Sequence, residues 1–251
     1  MDFGLKNKVA LVTGGARGLG RAICLGLAAE GARVVVNSVR SDPTVVAREL
    51  RRRFRVKAIG ALADVSKSEE VHLLFDRIEE ELGPVDILVN NAGSWPKSLV
   101  KDTSDEEWNA TLAVNLTGSF MTCREAVRRW LTSGHLGRIV NITSQAAYYG
   151  STTGHAHYAA AKAGLTNFTI SLAREVAQHG ICVNAVAPGF MDTDMVGEAF
   201  RKNRVRYLER IPLGRIADPA EMVPAVLLLA SERGSYMTGT TVHVNGGMLM
   251  T

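Results

Sequence analysis

The chain is poor in the residues that build cross-linked, metal-bound or membrane-embedded proteins. Its 251 residues include only three cysteines, Cys24, Cys123 and Cys182. Their odd number, in segments that read as helix, helix and strand, argues for buried thiols and against a disulfide framework. The six histidines are scattered and none stands at ligand spacing from a cysteine or carboxylate, so no metal site is expected. No apolar run approaches the ~18 residues of a membrane span, and the first residues lack the apolar core of a signal peptide. These absences predict a cytoplasmic protein that makes no membrane contact. Acidic residues are slightly outnumbered, 25 against 29, for a net charge of +4. That balance and the run Arg51-Arg52-Arg53-Phe54-Arg55-Val56-Lys57 raise the question of nucleic acid. The run closes a helix that begins near Pro43, where cations complement the negative end of the dipole. A solvated helix end explains it, and no nucleic-acid partner is expected.

What is present is a regular alternation. Short runs rich in Val, Ile and Leu fall near 8–13, 33–37, 57–63, 85–89, 138–143, 181–187 and 240–245, with helical patterns between them. Nearly continuous apolar strands are buried on both faces, and right-handed crossovers place helices above and below one sheet. The pattern predicts an α/β fold with a seven-stranded parallel sheet, helices on both faces, and ligand at the carboxyl ends of the strands. Pro- and Gly-rich joints are short and no repeat is visible, so residues 1–251 read as a single doubly wound domain.

Two stretches carry chemistry. The first strand breaks into Gly14-Gly15-Ala16-Arg17-Gly18-Leu19-Gly20 before an amphipathic run. Glycines there allow a tight turn, and the N–H groups of a helix start can approach a pyrophosphate. Farther on, Tyr158 and Lys162 stand four residues apart, on one face of a helix. A phenol has a pKa of about 10, and a nearby cation favours its phenolate, so Lys162 is expected to bring Tyr158 toward the range where it can act as a general acid near neutral pH.

Taken with Asp64-Val65, Asn90-Asn91-Ala92-Gly93, Asn115, Ser144, Pro188-Gly189, Thr193 and the tail His243-Val244-Asn245-Gly246-Gly247, these stretches resemble the short-chain dehydrogenase/reductase family over essentially the whole chain. Within it, the segment from Ala187 to Met195 and the tail to Met248 are most similar to 3-oxoacyl-(acyl-carrier-protein) reductases. The resemblance implies a Rossmann domain with a cofactor half near 1–150, a substrate half near 151–251 and a lid near 193–212. It implies NADP(H) bound by Gly14, Gly15, Ala16, Arg17, Gly18, Leu19 and Gly20, by Asn37, Ser38 and Arg40, and by Asp64 and Val65 at the adenine. Asn91, Ala92 and Gly93 would pack small backbone at the ribose, with Asn90 tying adjacent strands. Tyr158 and Lys162 would reach the ribose, and Pro188, Gly189, Met191 and Thr193 the nicotinamide. NAD-preferring relatives carry an aspartate where this chain has Ser38, and its absence leaves Arg17 and Arg40 as clamps for a 2′-phosphate.

For the reaction, the resemblance implies that Ser144 holds the substrate oxygen, Tyr158 donates the proton, Lys162 biases that phenol, and Asn115, in the interior of the preceding helix, positions a water on the lysine. The expected chemistry is NADPH-dependent reduction of a carbonyl, a 3-oxoacyl thioester first and another ketone or secondary alcohol as the alternative. An acyl carrier protein is a possible partner, and a homotetramer is expected from the apolar circumference of the helix near 158–178.

Two departures from the family remain. Thirteen residues separate Ser144 from Tyr158, where relatives usually have twelve, and the extended stretch holds His155 and His157. Either could touch substrate, although an exposed or structural loop role is the plainer reading. Carrier-dependent relatives also place arginines where this chain has the Thr132–His135 region and His179. The stretch 198–210, with five cations against two acids, is either a solvated basic face or an attractor for an acidic carrier.

Overall fold

In the computed structural model of the chain, the described residues are 2–151, 153–193 and 204–250, with the side chain of Arg206 excepted. The strands are β1 (Val9–Val12), β2 (Arg33–Ser38), β3 (Ala58–Leu62), β4 (Ile87–Asn90), β5 (Arg138–Ile142), β6 (Cys182–Pro188) and β7 (Thr241–Val244). Each lies within two residues of the apolar run that predicts it. They form one sheet in the order β3-β2-β1-β4-β5-β6-β7, with every pair parallel. The order reverses between β1 and β4, which opens a crevice at the carboxyl edge.

Alternate side chains of each strand feed two apolar layers, as the two-residue period of a strand requires. On one face Val12, Val34, Val36, Val89 and Val140 pack with Ile23 and Leu27 of α1 (Gly18–Ala29), Leu50 of α2 (Pro43–Phe54) and Val226 of the helix Val223–Ala230. On the other, Leu11, Val35, Leu88, Ile139 and Val183 meet Phe75 and Ile78 of α3 (Ser68–Leu82), Trp130 of α5 (Gly118–Ser133) and Leu172 of α7 (Ala156–Val176). Each such side chain contributes about 1.5–3 kcal/mol on burial. Between the layers runs a buried polar ladder that ties β4 to β5, α5 and α7. Asn90 donates to Asn141 at 2.9 Å and accepts from Thr122 at 2.6 Å, and Asn141 donates to Thr169 at 2.9 Å.

α2 opens on an Asp42 cap and ends with Arg51, Arg52 and Arg53 exposed in its last turn. Arg55 follows in the left-handed region at φ 58°, so the basic run is a helix terminus. The three cysteines are free and buried, on α1, α5 and β6. Burial raises the thiols of Cys24 and Cys123, the latter to about 12, which keeps both unreactive. Among the described residues no helix is long and apolar enough to cross a membrane, and no group of three or more His, Cys, Asp or Glu could hold a metal ion.

Candidate active site

Thr13 follows β1 and organises the glycine turn. Its hydroxyl accepts from the N–H groups of Asn91 and Ala92, both at 3.0 Å. Asn91 in turn donates to the carbonyls of Thr13 and Gly14 at 3.0 and 3.1 Å, while the Gly15 N–H donates to the Asn37 carbonyl at 2.8 Å. Gly14 adopts φ +63° and Gly18 φ +52°, a region open mainly to glycine. At Gly20 a Cβ would stand 2.2 Å from the Gly14 carbonyl oxygen, so the helix starts against the turn with no space for a side chain. α1 begins without a side-chain cap or an acid in its first turn. Its leading N–H groups are thus left for an anion, and a dinucleotide pyrophosphate fits this cradle.

At the end of β2, Asn37 turns its amide toward the carbonyls of Ala61 and Ala63 on the β3 side, so that side chain is structural. Ser38 is buried and accepts from the Ser41 N–H at 3.2 Å, whereas Arg40, two residues on, and Arg17 of the glycine turn are exposed. One Asp64 oxygen accepts from the Ser66 N–H and hydroxyl at 3.0 and 2.7 Å. Val65 is buried beside Gly118, where a Cβ would come within 3.0 Å of it.

Asn115 does not sit in an ordinary helix interior. It lies in a π-helical turn, Ala113–Thr117, between α4 (Asp105–Leu112) and α5. Such one-residue widenings recur at functional sites because they re-aim a side chain. Here the amide of Asn115 donates to the carbonyls of Ser94 and Thr111, each at 3.0 Å, while its Oδ1 is buried without a hydrogen-bond partner among the described residues. At Gly93 a Cβ would stand 2.7 Å from that oxygen and 3.7 Å from Lys162 Nζ, so only glycine fits between them.

Ser144 stands two residues beyond β5 and accepts from the Ala146 N–H at 3.1 Å as the chain enters α6 (Ala146–Tyr149). Tyr158 follows in the first turn of α7, where the Ser144 hydroxyl is near enough to lower its pKa. Lys162 is buried on the same face, with Nζ donating to the Ile142 carbonyl at 2.9 Å and standing 5.7 Å from the Tyr158 ring centre. The pKa of the phenol runs opposite to the sequence expectation. Burial raises it above its ordinary value and only the neighbouring Ser144 hydroxyl opposes this, while burial pushes Lys162 down to about 8.

The far half of the chain completes the crevice. Pro188 ends β6, and at Gly189 a Cβ would meet the Asn245 backbone at 2.8 Å, which explains a glycine opposite the tail. Met191 bridges to Ala217, and Thr193 reaches the glycine turn, 3.6 Å from where a Gly18 Cβ would be. Of the basic stretch, Glu198, Arg201 and Lys202 lie outside the described residues, as does the Arg206 side chain. Arg204 opens the short helix Arg204–Leu208, and Arg210 lies over the Phe190 ring at 5.5 Å.

His155 and His157 are not loop-exposed: they are 4% and 1% accessible, at and just inside the start of α7. Of the two regions the sequence singled out for lacking arginine, the Thr132–His135 stretch has His135 paired with Asp86 at 3.1 Å, and His179 is exposed in a terminal helical turn. Sequence reasoning missed Thr13, Trp95 and Gln145. Thr13 adjoins the glycine turn and was within reach of it, whereas nothing local marks Trp95 or Gln145, whose buried Oε1 has no partner among the described residues.

A family model described as enoyl-(acyl carrier protein) reductase matches residues 14–249. Proteins named 3-oxoacyl-(acyl-carrier-protein) reductase FabG, from Aquifex aeolicus (strain VF5) and Escherichia coli (strain K12), are 41% and 42% identical to this chain. The matches cover 99% and 100% of it and 100% of each relative. A solved short-chain type dehydrogenase/reductase from Mycobacterium marinum superposes with a TM-score of 0.94 at 34% identity, covering 98% of this chain and 97% of that one. A putative gluconate dehydrogenase from Agrobacterium tumefaciens does so at 0.93 and 36%, covering 100% and 99%. With its parallel sheet, uncapped glycine turn and grouped Ser144, Tyr158 and Lys162, the chain belongs to the short-chain dehydrogenase/reductase family, oxidoreductases that work with a nicotinamide cofactor.

Proposed function

We propose that the protein uses NADPH to reduce 3-oxoacyl thioesters to 3-hydroxyacyl thioesters. The observation that carries the chemistry is the grouping of Ser144 and Tyr158 with a buried Lys162, whose Nζ donates to the Ile142 carbonyl at the end of β5 and stands 5.7 Å from the Tyr158 ring centre. The thioester reading is supported by full-length similarity to proteins named as 3-oxoacyl-(acyl-carrier-protein) reductases. Bound NADPH supplies the hydride. Tyr158 gives its proton to the carbonyl oxygen, and its raised pKa keeps it protonated at neutral pH, as an acid must be. The Ser144 hydroxyl stabilises the developing alkoxide. Lys162, charged below about pH 8, favours the phenolate left behind, and the free Oδ1 of Asn115 offers an acceptor for returning a proton along the lysine.

Preference for NADPH is supported by the lack of an acid at Ser38 and by the exposed Arg17 and Arg40. Asp64 and Val65 would meet the adenine, and Met191 with Thr193 the carboxamide. The chain would act as a cytoplasmic single domain in a homotetramer. Trp108 on α4 and Phe120 on α5 are 41% and 38% exposed, and Ala160 of α7 is open as well, leaving an apolar surface for a partner copy. Light scattering at micromolar concentration should give four times the chain mass. The basic stretch around the lid would steer an acidic carrier.

A second reading, oxidation or reduction of another alcohol or ketone, is favoured by the solved putative gluconate dehydrogenase and by His135 and His179 in the carrier-arginine positions. Turnover of NADPH with acetoacetyl-coenzyme A beside a panel of cyclic ketones separates the two. The thioester should be preferred by at least ~10-fold in kcat/KM. A preference for the ketones would replace the first reading with the second.

A further inference from the structure

We propose that Trp95 and His155 form a stacked wall that limits the length of acyl chain accepted at Tyr158. The proposal rests on the thioester reading above. His155, Tyr158 and Lys162 follow one another at spacings of three and four, so they lie along one stripe of α7 and its first turn. The segment after β4 meets the same stripe from the opposite side. Gly93 abuts Asn115 and Lys162, the Ser94 carbonyl accepts from Asn115 at 3.0 Å, and the next residue is Trp95. Its ring lies on that of His155 with centres 3.9 Å apart and planes 14° from parallel.

The stack is held from both ends. The His155 Nδ1–H donates to the Pro96 carbonyl at 2.7 Å, the Ser98 N–H donates to the Gly154 carbonyl at 2.8 Å, and Ser98 bridges His155 as a short parallel pair. Two flat rings in contact, pinned by backbone hydrogen bonds, form a rigid surface that a flexible chain cannot displace without breaking several contacts. Burial holds His155 below its ordinary pKa, so the pair is neutral and apolar near pH 7. Farther along the chain Tyr148 and Tyr149 of α6 are 41% and 42% exposed, Tyr148 meets His243 edge-on, and Phe190 meets Tyr207 in the same way. A short acyl group fits beside the Trp95 side, and a longer one is turned away by the stack.

The test compares kcat/KM for 3-oxobutanoyl- and 3-oxodecanoyl-coenzyme A with NADPH in the unmodified protein, Trp95→Ala, Trp95→Phe and Trp95→Leu. Loss of the indole should raise the long-to-short ratio by at least ~10-fold, since shape discrimination of a methylene or more reaches that range in apolar pockets. Phenylalanine restores a stackable ring and should return the ratio to within about threefold of the original. Leucine should fall between, and it serves as the reading if the alanine variant does not fold. A ratio that stays put in variants that still bind NADPH and melt normally would overturn the wall, as would a phenylalanine variant that shifts as far as alanine. If the unmodified protein reduced neither thioester, the substrate reading would fall and the wall with it, whereas turnover with an unmoved ratio removes the wall alone.

Discussion

Around the glycine turn, Thr13, Asn37 and Asn91 all place their side-chain hydrogen bonds on backbone groups of the sheet's edge. Across the crevice, Gln145, His157 and His243 keep buried oxygen or nitrogen atoms that have no partner among the described residues. The two walls face ligands of different kinds. A dinucleotide always brings the same phosphates and sugars, so the side chains of its wall are already bonded and only the leading N–H groups of α1 are left for it. The reacting side must accept a substrate and a developing charge, and it keeps polar atoms in reserve although each unsatisfied one costs about 1–3 kcal/mol. Rigidity on one wall and stored polarity on the other are what the contrast teaches.

The sharpest test of the reacting wall is Tyr158→Phe, which removes one hydroxyl and nothing else. Turnover should fall by at least ~10²-fold while NADPH binding and the melting temperature hold. Near-normal kcat would show that the proton comes from elsewhere. On the cofactor wall, the unmodified protein should favour NADPH over NADH by about tenfold or more in kcat/KM, and Ser38→Asp should reverse this by setting an anion against the 2′-phosphate. Equal constants for both cofactors in the unmodified protein would remove the argument from Arg17 and Arg40.

Smaller effects bear on the contrast itself. Asn91→Ala leaves the Thr13 and Gly14 carbonyls without their donor and should destabilise by about 1–3 kcal/mol. Gln145→Leu removes an unsatisfied oxygen and should leave stability unchanged or higher. Denaturant titrations of the two variants check this, and losses of equal size would erase the distinction between the walls. The smallest effect is on pH. Lys162 is buried with its pKa lowered from 10.5 to about 8, so between those values the unfolded chain binds more protons than the folded one. Stability from this residue therefore rises with pH across that window, and below about pH 8 the cost of the buried charge is at its fullest. Lys162→Met should be inactive yet melt about 3 °C or more higher at pH 7, with the gain shrinking from pH 8 to 10.5. A gain independent of pH would mean that the charge is not its source.

Much of this was legible in the chain. Seven apolar runs marked seven strands because parallel strands are buried on both faces, and the glycine turn was visible because phosphate chemistry needs glycines close together in sequence. The spacing of Tyr158 and Lys162 put them on one face by helix geometry alone. The π-helical turn at Asn115 was not visible, since widening by one residue depends on contacts to Ser94 and to the helix beyond. The histidines of the extended stretch read as loop residues; both are buried, and His155 is held by residues 94–98, which reach it from elsewhere in the chain.

By itself, then, the sequence determined what short-range rules control: the strand and helix pattern, the turn built from Gly14 to Gly20, and the residue types offered for proton transfer. Only the tertiary structure decided the environment of those residues. It set the phenol of Tyr158 above its ordinary pKa and the amine of Lys162 below its own, because desolvation depends on every segment packed around a group, which spacing in sequence cannot foresee. It also laid Trp95 on His155, a contact between residues sixty positions apart that no local pattern encodes.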